Sequence, residues 1–358
     1  MSESLPPIRR VVAGHDATGK AVILIDGIAA NARAGAAPGN VSTLIWATDQ
    51  MPAEVWTGED YGAGTPHRQP PARSSRFSFL DIPPGNPGAM HGTVTADYIV
   101  VLEGQIDMDM PDTAPVTLYK GDVMVQQGTV HRWVNRSSET CRLGIVLFDA
   151  IAAPDASRPK GWEKKAKPTT TGALPNPPIR RLVTSHDAAG KPVVQFDGPA
   201  GNHKWSGRGT VATLIWAIEG CPADNFTGLD QGERVLGHQP PKDGSRFSIN
   251  DYPPGTAGHM HVTDTLDYVM ILSGSIRMDL DDSSVRLKAG DVLIQQANNH
   301  SWINDGDEAC RIAFVLIDAK TKPGFRRPIV EQGARNKGTS GLAAVSCRPH
   351  NRIAIGPA

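Results

Sequence analysis

The sequence predicts an all-β chain that consists of two copies of one barrel-forming module. Blocks of residues recur at a nearly constant offset along the 358 residues, and the apolar segments are short, β-rich and separated by turns. Gly (37 residues) and Pro (29 residues) are frequent, and no long stretch has the period of an amphipathic helix. Short strands divided by frequent turns are typical of sandwiches and barrels.

The repeat extends over most of each half of the chain. The block PPIRRVVAGHDATGK begins at Pro6 and recurs as PPIRRLVTSHDAAGK from Pro177. The block DYIVVLEG begins at Asp97 and recurs 170 positions later as DYVMILSG from Asp267. An offset this long and this constant indicates a duplicated domain and not a short solenoid repeat.

The repeat also sets the predicted domain boundaries. Residues 1–150 form the first copy and residues 177–319 form the second copy. Residues 151–176 are rich in Pro, Lys, Thr and Ala and lack an apolar period, which is typical of a linker. Residues 320–358 form a basic tail, interpreted either as a solvated segment or as a strap laid over a barrel.

Charge and composition limit the kinds of molecule that we expect this protein to bind. The formal net charge is −1, so no basic field is present to gather nucleic acid, and no apolar run approaches the roughly 20 residues of a membrane span. The segment MSESLPPIRR lacks the layout of a signal peptide. Cys141, Cys221, Cys310 and Cys347 form no CxxC pair, which favours reduced, buried thiols. We expect a cytoplasmic protein with a small-molecule substrate and neither a nucleic-acid nor a membrane partner.

The second copy contains residues of the types that bind metals. His259 and His261 are two positions apart, so both rings point to one face of a strand. Asp267 follows six residues later, about 20 Å along a straight strand, so a shared site requires a turn between them. His300 follows a later apolar strand. Three imidazoles and a carboxylate suit Fe(II), Mn, Ni, Cu or Zn, and the ligand types do not choose among these metals.

Two further residue types have a matching position in each copy. Arg76 and Arg246 lie in the same SRFS block, where each either binds a substrate carboxylate or pairs with an acid at the barrel wall. Trp133 and Trp302 lie two residues after a histidine, and either form the wall of a pocket or pack in the core. We take Arg246 and Trp302 as the substrate-binding residues to be tested.

These segments resemble the two sequence motifs of the cupin superfamily, whose fold is a double-stranded β-helix, or jelly-roll, barrel. The first motif contains His-x-His and a carboxylate before a Gly, and the second contains a Gly-Asp turn, a His and an Asn. The matching residues are His259, His261, Asp267 and Gly274 in the first motif, and Gly290, Asp291, His300 and Asn304 in the second. The resemblance covers almost all of both halves and implies a bicupin, with two tandem barrels.

The sequence also departs from the motifs. The usual Glu is replaced by Asp267, which is one methylene shorter and so serves either as a ligand or as an acid–base group. The usual Pro before the second-motif His is absent, and glutamines occupy this region. In the first copy the leading His is Ala89, which leaves His91, Asp97 and His131 as a weaker second site.

The resemblance implies a metal-dependent enzyme whose ligands are His259, His261, Asp267 and His300, with Asp267 as the catalytic residue. A subgroup of similar cupins belongs to secondary metabolism, which favours a dioxygenase-like oxidoreductase that uses Fe(II) on a small organic or aromatic metabolite. The alternatives are a non-redox lyase, isomerase or decarboxylase, and a cupin that binds a small ligand without catalysis. Assembly into a homo-oligomer stays open.

Overall fold

The computed structural model of the chain describes residues 5–65, 67–154 and 172–320. These ranges contain 23 strands and one short 3-10 turn, Gln231–Glu233, and they contain no α-helix, which confirms the predicted all-β class. None of the described segments forms a helix with the length and apolar character of a membrane span. Most of the predicted linker, the predicted tail beyond residue 320 and Cys347 lie outside the described residues.

The first copy contributes eleven strands, which follow one another through short turns. They are β1 (Arg9–His15), β2 (Ala21–Ile28), β3 (Ala32–Ala34), β4 (Val41–Ala47), β5 (Ser75–Ile82), β6 (Thr95–Glu103), β7 (Gln105–Asp109), β8 (Val116–Tyr119), β9 (Val123–Gln127), β10 (Arg132–Val134) and β11 (Cys141–Asp149). Gly104, at the turn between β6 and β7, has a positive φ of 71°. A side chain is strained in that conformation, which explains a glycine at this turn.

The second copy contributes twelve strands in the same order. They are β12 (Arg180–His186), β13 (Pro192–Pro199), β14 (His203–Trp205), β15 (Val211–Ile218), β16 (Ser245–Tyr252), β17 (His261–Val262), β18 (Thr265–Ser273), β19 (Ser275–Asp279), β20 (Ser284–Lys288), β21 (Val292–Gln296), β22 (Asn299–Ile303) and β23 (Cys310–Asp318). The additional strand is the short β17, which carries the second histidine of the His-x-His segment.

Each jelly-roll barrel consists of one eight-stranded sheet and one smaller sheet. In the first barrel the large sheet has the order β13-β12-β9-β6-β11-β5-β4-β3, and the small sheet has the order β10-β7-β8. In the second barrel the orders are β14-β15-β16-β23-β18-β21-β1-β2 and β17-β22-β19-β20. The large sheets therefore exchange their N-terminal hairpins, because β1-β2 completes the second barrel and β12-β13 completes the first.

Ion pairs hold each exchanged hairpin in place. Arg9 Nη1 on β1 donates to Asp291 Oδ2 at 2.9 Å, and Arg180 Nη1 on β12 donates to Asp122 Oδ2 at 3.0 Å. Asp122 and Asp291 are the acids of the two Gly-Asp turns. The Gly-Asp turn of each copy thus anchors the hairpin of the other copy.

The central strands are buried on both faces. On β18, Tyr268 and Met270 belong to an apolar cluster with members from both copies, whereas Val269 and Ile271 belong to a cluster inside the second barrel. Successive side chains of a strand point to opposite faces, so this division follows directly from sequence position. Asp267, which alternates in phase with Val269, therefore points into the barrel.

The two copies meet through a reciprocal pair of tyrosines. Tyr98 Oη lies 3.0 Å from Ser245 Oγ, and Tyr268 Oη lies 2.9 Å from Ser75 Oγ. Each tyrosine ring also stacks on a phenylalanine of the other copy, with 5.0 Å between the ring centroids of Tyr98 and Phe247. Burial of these rings stabilises the contact between the two copies through apolar packing. The hydroxyl contacts fix the position of one copy relative to the other.

We expect Tyr98→Phe to lower the free energy of unfolding by about 1–3 kcal/mol, because the buried Ser245 hydroxyl then loses its hydrogen-bond partner. Urea unfolding followed by tryptophan fluorescence measures the change. Tyr119→Phe is the matched control, since Tyr119 is 53% exposed and its substitution should change stability by less than about 0.5 kcal/mol. Equal effects of the two substitutions would contradict the role given to Tyr98.

Candidate functional site

The interior of the second barrel contains a row of polar side chains on otherwise apolar strands. On its own strand, each of these residues lies an even number of positions from a residue of the apolar cluster inside the second barrel. Because successive side chains of a strand point to opposite faces, the polar side chain also points inward. All are buried. These side chains are Arg246 and Ser248 on β16, Asp267 on β18, Gln295 on β21 and His300 on β22.

Two of the three predicted histidines face each other across a pair of strands. Strands β17 and β22 are antiparallel with His261 opposite His300, and the ring centroids are 4.2 Å apart. His261 Nδ1 lies 2.8 Å from the carbonyl oxygen of His259, and His300 Nδ1 lies 3.0 Å from that of Asn298. A carbonyl oxygen only accepts, so each neutral ring carries its proton on Nδ1 and keeps the lone pair on Nε2.

The third predicted histidine lies further from this pair. The His259 ring is nearly parallel to that of His261, at an interplanar angle of 9°, with 6.3 Å between the centroids. His259 and His261 are exposed, whereas His300 is buried. Burial, and secondarily the charge of His261, lower the pKa of His300 to about 3, so its ring is neutral at physiological pH. The histidines thus run from the protein surface to the barrel interior.

Asp267 is a buried carboxyl group without a cationic partner among the described residues. Its Cα is paired with that of Gln295 across β18 and β21, and Asp267 Oδ1 has no hydrogen-bond partner. Burial raises the pKa of this carboxyl to about 7. A carboxyl group with such a pKa exchanges a proton near neutral pH, as the predicted acid–base role requires.

The described residues contain no group of three or more His, Cys, Asp or Glu side chains placed to hold a metal ion. The structure thus brings together His261 and His300, with His259 beside them, but it does not add Asp267 to them as a further ligand. The assignment of all four residues as metal ligands stays a prediction.

Gln295 contacts His300 and was not predicted as a site residue. Its Nε2 lies 2.7 Å from His300 Nδ1 and 3.0 Å from His300 Nε2. Since Nδ1 carries the proton, Nε2 is the ring nitrogen that can accept a hydrogen bond from the amide. In the sequence, the replacement of the motif Pro by glutamine marked this position as unusual. It did not indicate that the glutamine contacts His300.

The predicted substrate-binding residues both point into the second barrel. Arg246 is buried, and no carboxylate of the described chain pairs with it. Trp302 packs edge-on against Phe314, with 5.4 Å between the ring centroids, and it also meets the ring of His300 at 6.1 Å. Trp302 is therefore part of the core and at the same time a wall beside the histidine pair.

The first barrel contains an equivalent histidine pair. His91 and His131 form a β-bridge with 4.4 Å between their ring centroids. Each Nδ1 lies 2.9 Å from a main-chain carbonyl oxygen, of Ala89 and Thr129 respectively. The replacement of the leading histidine by Ala89 therefore removes the outer ring and leaves the inner pair unchanged.

The two barrels differ in the direction of the glutamine amide. In the first barrel Gln126 Nε2 donates to Thr129 Oγ1 at 3.2 Å, and Thr129 Oγ1 lies 3.1 Å from Thr184 Oγ1 of the exchanged hairpin. In the second barrel Asn298 stands in place of Thr129, and Ala13 in place of Thr184. Without these hydroxyl groups the second glutamine turns to the histidine.

Comparison with known proteins identifies relatives of one copy. A family described as a cupin domain matches residues 249–317. Phomopsin biosynthesis cluster protein C' of Diaporthe leptostromiformis is 33% identical over 177 residues, which cover 47% of this chain and 90% of that protein. This match covers less than half of this chain and most of its relative, as a duplication predicts.

Several relatives have oxidoreductase in their names. Cupin-domain-containing oxidoreductase fogC of Aspergillus ruber is 29% identical over 153 residues, 42% of this chain and 75% of that protein. Cupin-domain-containing oxidoreductase virC of Hypocrea virens is 29% identical over 158 residues, 41% of this chain and 81% of that protein.

The buried carboxyl groups predict a pH-dependent effect on stability. Burial raises the pKa of Asp97 in the folded chain to about 7, whereas an unfolded aspartate titrates near 3.9. Folding therefore favours the protonated form, and stability is lost as the pH rises from about 4 to 7. In chelator-treated protein, Asp97→Asn should remove this loss, and its stability relative to the wild type should rise over that interval.

The gain at pH 8 relative to pH 4.5 is at most about 4 kcal/mol, because each pKa unit corresponds to about 1.4 kcal/mol. Urea unfolding at the two pH values measures it. Asp307→Asn is the control, since Asp307 is exposed and its substitution should have a pH-independent effect. An Asp97→Asn effect that is the same at both pH values would rule out the buried, cation-free carboxyl.

Proposed function

Because the chain belongs to the cupin superfamily, we propose that it is a metal-dependent oxidoreductase acting on a small organic metabolite inside its second barrel. The observation that carries the proposal is the pair of His261 and His300, whose Nδ1 protons are directed to main-chain carbonyls. The names of two relatives support the reaction class.

The donor set fits a divalent metal in part. Neutral imidazoles whose other nitrogen donates to a carbonyl are the usual form of histidine ligands, and both rings of the pair have this form. His300 Nε2 becomes available when the Gln295 amide moves away. We assign His261 and His300 as the ligands, with His259 as the third imidazole and Asp267 as the fourth candidate.

Iron(II) is our first assignment for the metal, and Mn, Ni, Cu and Zn suit the same donors. When bound, iron would supply dioxygenase-like oxidation of the substrate. The protein contributes the surroundings of that reaction. Asp267 holds or accepts a proton at its carboxylate, and Trp302 covers one side of His300 and excludes water.

A ligand-binding protein without catalysis is the second candidate function. It is favoured by the contact of the Gln295 amide with His300 Nε2, which satisfies this nitrogen without a metal. A lyase, isomerase or decarboxylase with a Lewis-acid metal shares the ligands of the main proposal and differs from it only in the reaction.

We expect about one divalent metal ion per chain in protein purified without chelators and without an added His tag. His261→Ala should lose this metal, because one of the two facing imidazoles is removed. His91→Ala, the matched substitution in the first barrel, should retain it. Elemental analysis of the three proteins measures the metal and identifies it.

Circular dichroism of the variants controls for folding. Absence of metal from the wild type after reconstitution with Fe(II), Mn, Ni, Cu and Zn would exclude the metal-dependent enzyme and leave the ligand-binding function. Loss of the metal only in His91→Ala would place the site in the first barrel and contradict the proposal as stated.

A further inference from the structure

We propose that the second barrel binds its ligand through a carboxylate that pairs with Arg246, and that Ala212 leaves the Arg246 guanidinium free for this pairing. The proposal identifies the substrate class as small organic acids with one carboxylate. It rests on the proposed function in taking this barrel interior as the substrate site.

The first observation is that Arg246, unlike most of the buried arginines, has no carboxylate partner among the described residues. Six arginine side chains are buried in the ranges that the structure describes. Four of them pair with a carboxylate, and the pairs are Arg10–Asp60, Arg142–Asp81, Arg181–Asp230 and Arg234–Glu219. The exceptions are Arg76 and Arg246. A buried cation without an anion is costly, so the chain ordinarily supplies a carboxylate.

The second observation is that the first barrel supplies hydroxyl acceptors for both Nη groups of its arginine. Arg76 Nη1 donates to Ser78 Oγ at 3.0 Å, and Arg76 Nη2 donates to Ser42 Oγ at 3.1 Å. The residues in equivalent positions of the second copy are Ser248 and Ala212. Ala212 has no hydroxyl group.

In the second barrel the same interactions are missing. Among the described residues, the buried Arg246 Nε and Ser248 Oγ have no hydrogen-bond partner, whereas Ser78 Oγ of the first barrel accepts from Arg76 Nη1. The guanidinium and the hydroxyl are adjacent inward-facing donors on β16. Within the described ranges, Arg246 Nε and Ser248 Oγ are thus both left without an acceptor.

The third observation is the position of Arg246 relative to the candidate catalytic groups. Arg246 and Asp267 are both paired with Leu316, on opposite sides of β23, and Asp267 is paired with Gln295. Neighbouring strands are about 4.8 Å apart, so the Arg246 and Asp267 backbones are about 10 Å apart on one wall of the barrel. A small acid held by Arg246 would extend over Leu316 toward Asp267.

The surrounding charges favour an anion. Lys204 Nζ lies 3.3 Å from His238 Nε2. Burial, followed by the positive charges of Lys204 and Arg246, lowers the pKa of His238. Asp251, on the same strand as Arg246, is paired with Arg311 at 2.7 Å.

A carboxylate fits this site better than a phosphate. One guanidinium binds one planar carboxylate through two parallel hydrogen bonds, and its single charge matches that of a monocarboxylate. A phosphate dianion would keep part of its charge uncompensated. The aromatic rings of Trp302 and Tyr252 in the interior cluster suit an apolar body on the acid.

The test uses benzoate as the probe, and benzamide as the uncharged analogue of the same shape. Isothermal titration calorimetry is carried out on the full chain before and after chelator treatment. We expect benzoate to bind the wild type, and benzamide to bind at least tenfold more weakly. Arg246→Met should weaken benzoate binding at least tenfold, and Arg76→Met, the matched substitution in the first barrel, should leave it unchanged.

Ala212→Ser provides a milder variant with the guanidinium retained. The new hydroxyl should accept a hydrogen bond from Arg246, as Ser42 does from Arg76, and weaken benzoate binding by a smaller factor. Arg246→Met should also raise the thermal unfolding midpoint of the ligand-free protein, because an unpaired buried charge is removed. This rise also shows that the variant is folded.

Absence of benzoate binding to the wild type, or equal binding by Arg246→Met, would overturn the proposal. Inorganic phosphate that binds more tightly than benzoate would overturn the assignment of the carboxylate. Binding to the chelator-treated protein does not depend on metal or oxidation. Arg246-dependent binding by a protein that never takes up metal would therefore uphold this inference and reject the proposed oxidoreductase.

Discussion

The parallel pairing of β1 with β21, and of β12 with β9, is the constraint on which the rest of the structure depends. Without the hairpin from the other copy, β21 and β9 would be edge strands with unpaired main-chain groups. These are the strands that carry Gln295 and Gln126. The exchange pairs these edges with the hairpins β1-β2 and β12-β13. The barrel interior can then hold buried polar groups in fixed positions.

Much of this architecture could be predicted from the sequence. The repeat predicted the two copies, and the spacing of the turns predicted the strands. The division of β18 into an inner and an outer face is consistent with the two-residue period of a strand. The hairpin exchange could not be predicted, because a strand that pairs with its own copy has the same apolar pattern as one that pairs with the other copy.

Prediction of the site was less complete, for a physical reason. The facing pair of His261 and His300 could be expected from the motifs, but the inclusion of Asp267 as a ligand depends on a chain path that sequence spacing does not define. Gln295 was not predicted because the hydrogen-bond partner of a glutamine amide can be identified only when the neighbouring side chains are known. In the first barrel that partner is Thr129, and in the second it is His300.

The exchanged hairpins also couple the evolution of the two halves. Ala13 belongs to the first copy, yet its Cα is paired with that of Gln295 in the second barrel. Thr184 belongs to the second copy and bonds Thr129 beside the histidine pair of the first barrel. A substitution on either hairpin therefore acts on the barrel encoded by the opposite half of the gene. After the duplication, the interior of each barrel could therefore change in two ways: through substitutions in its own half, such as Ala212 in place of Ser42, and through substitutions on the hairpin encoded by the other half.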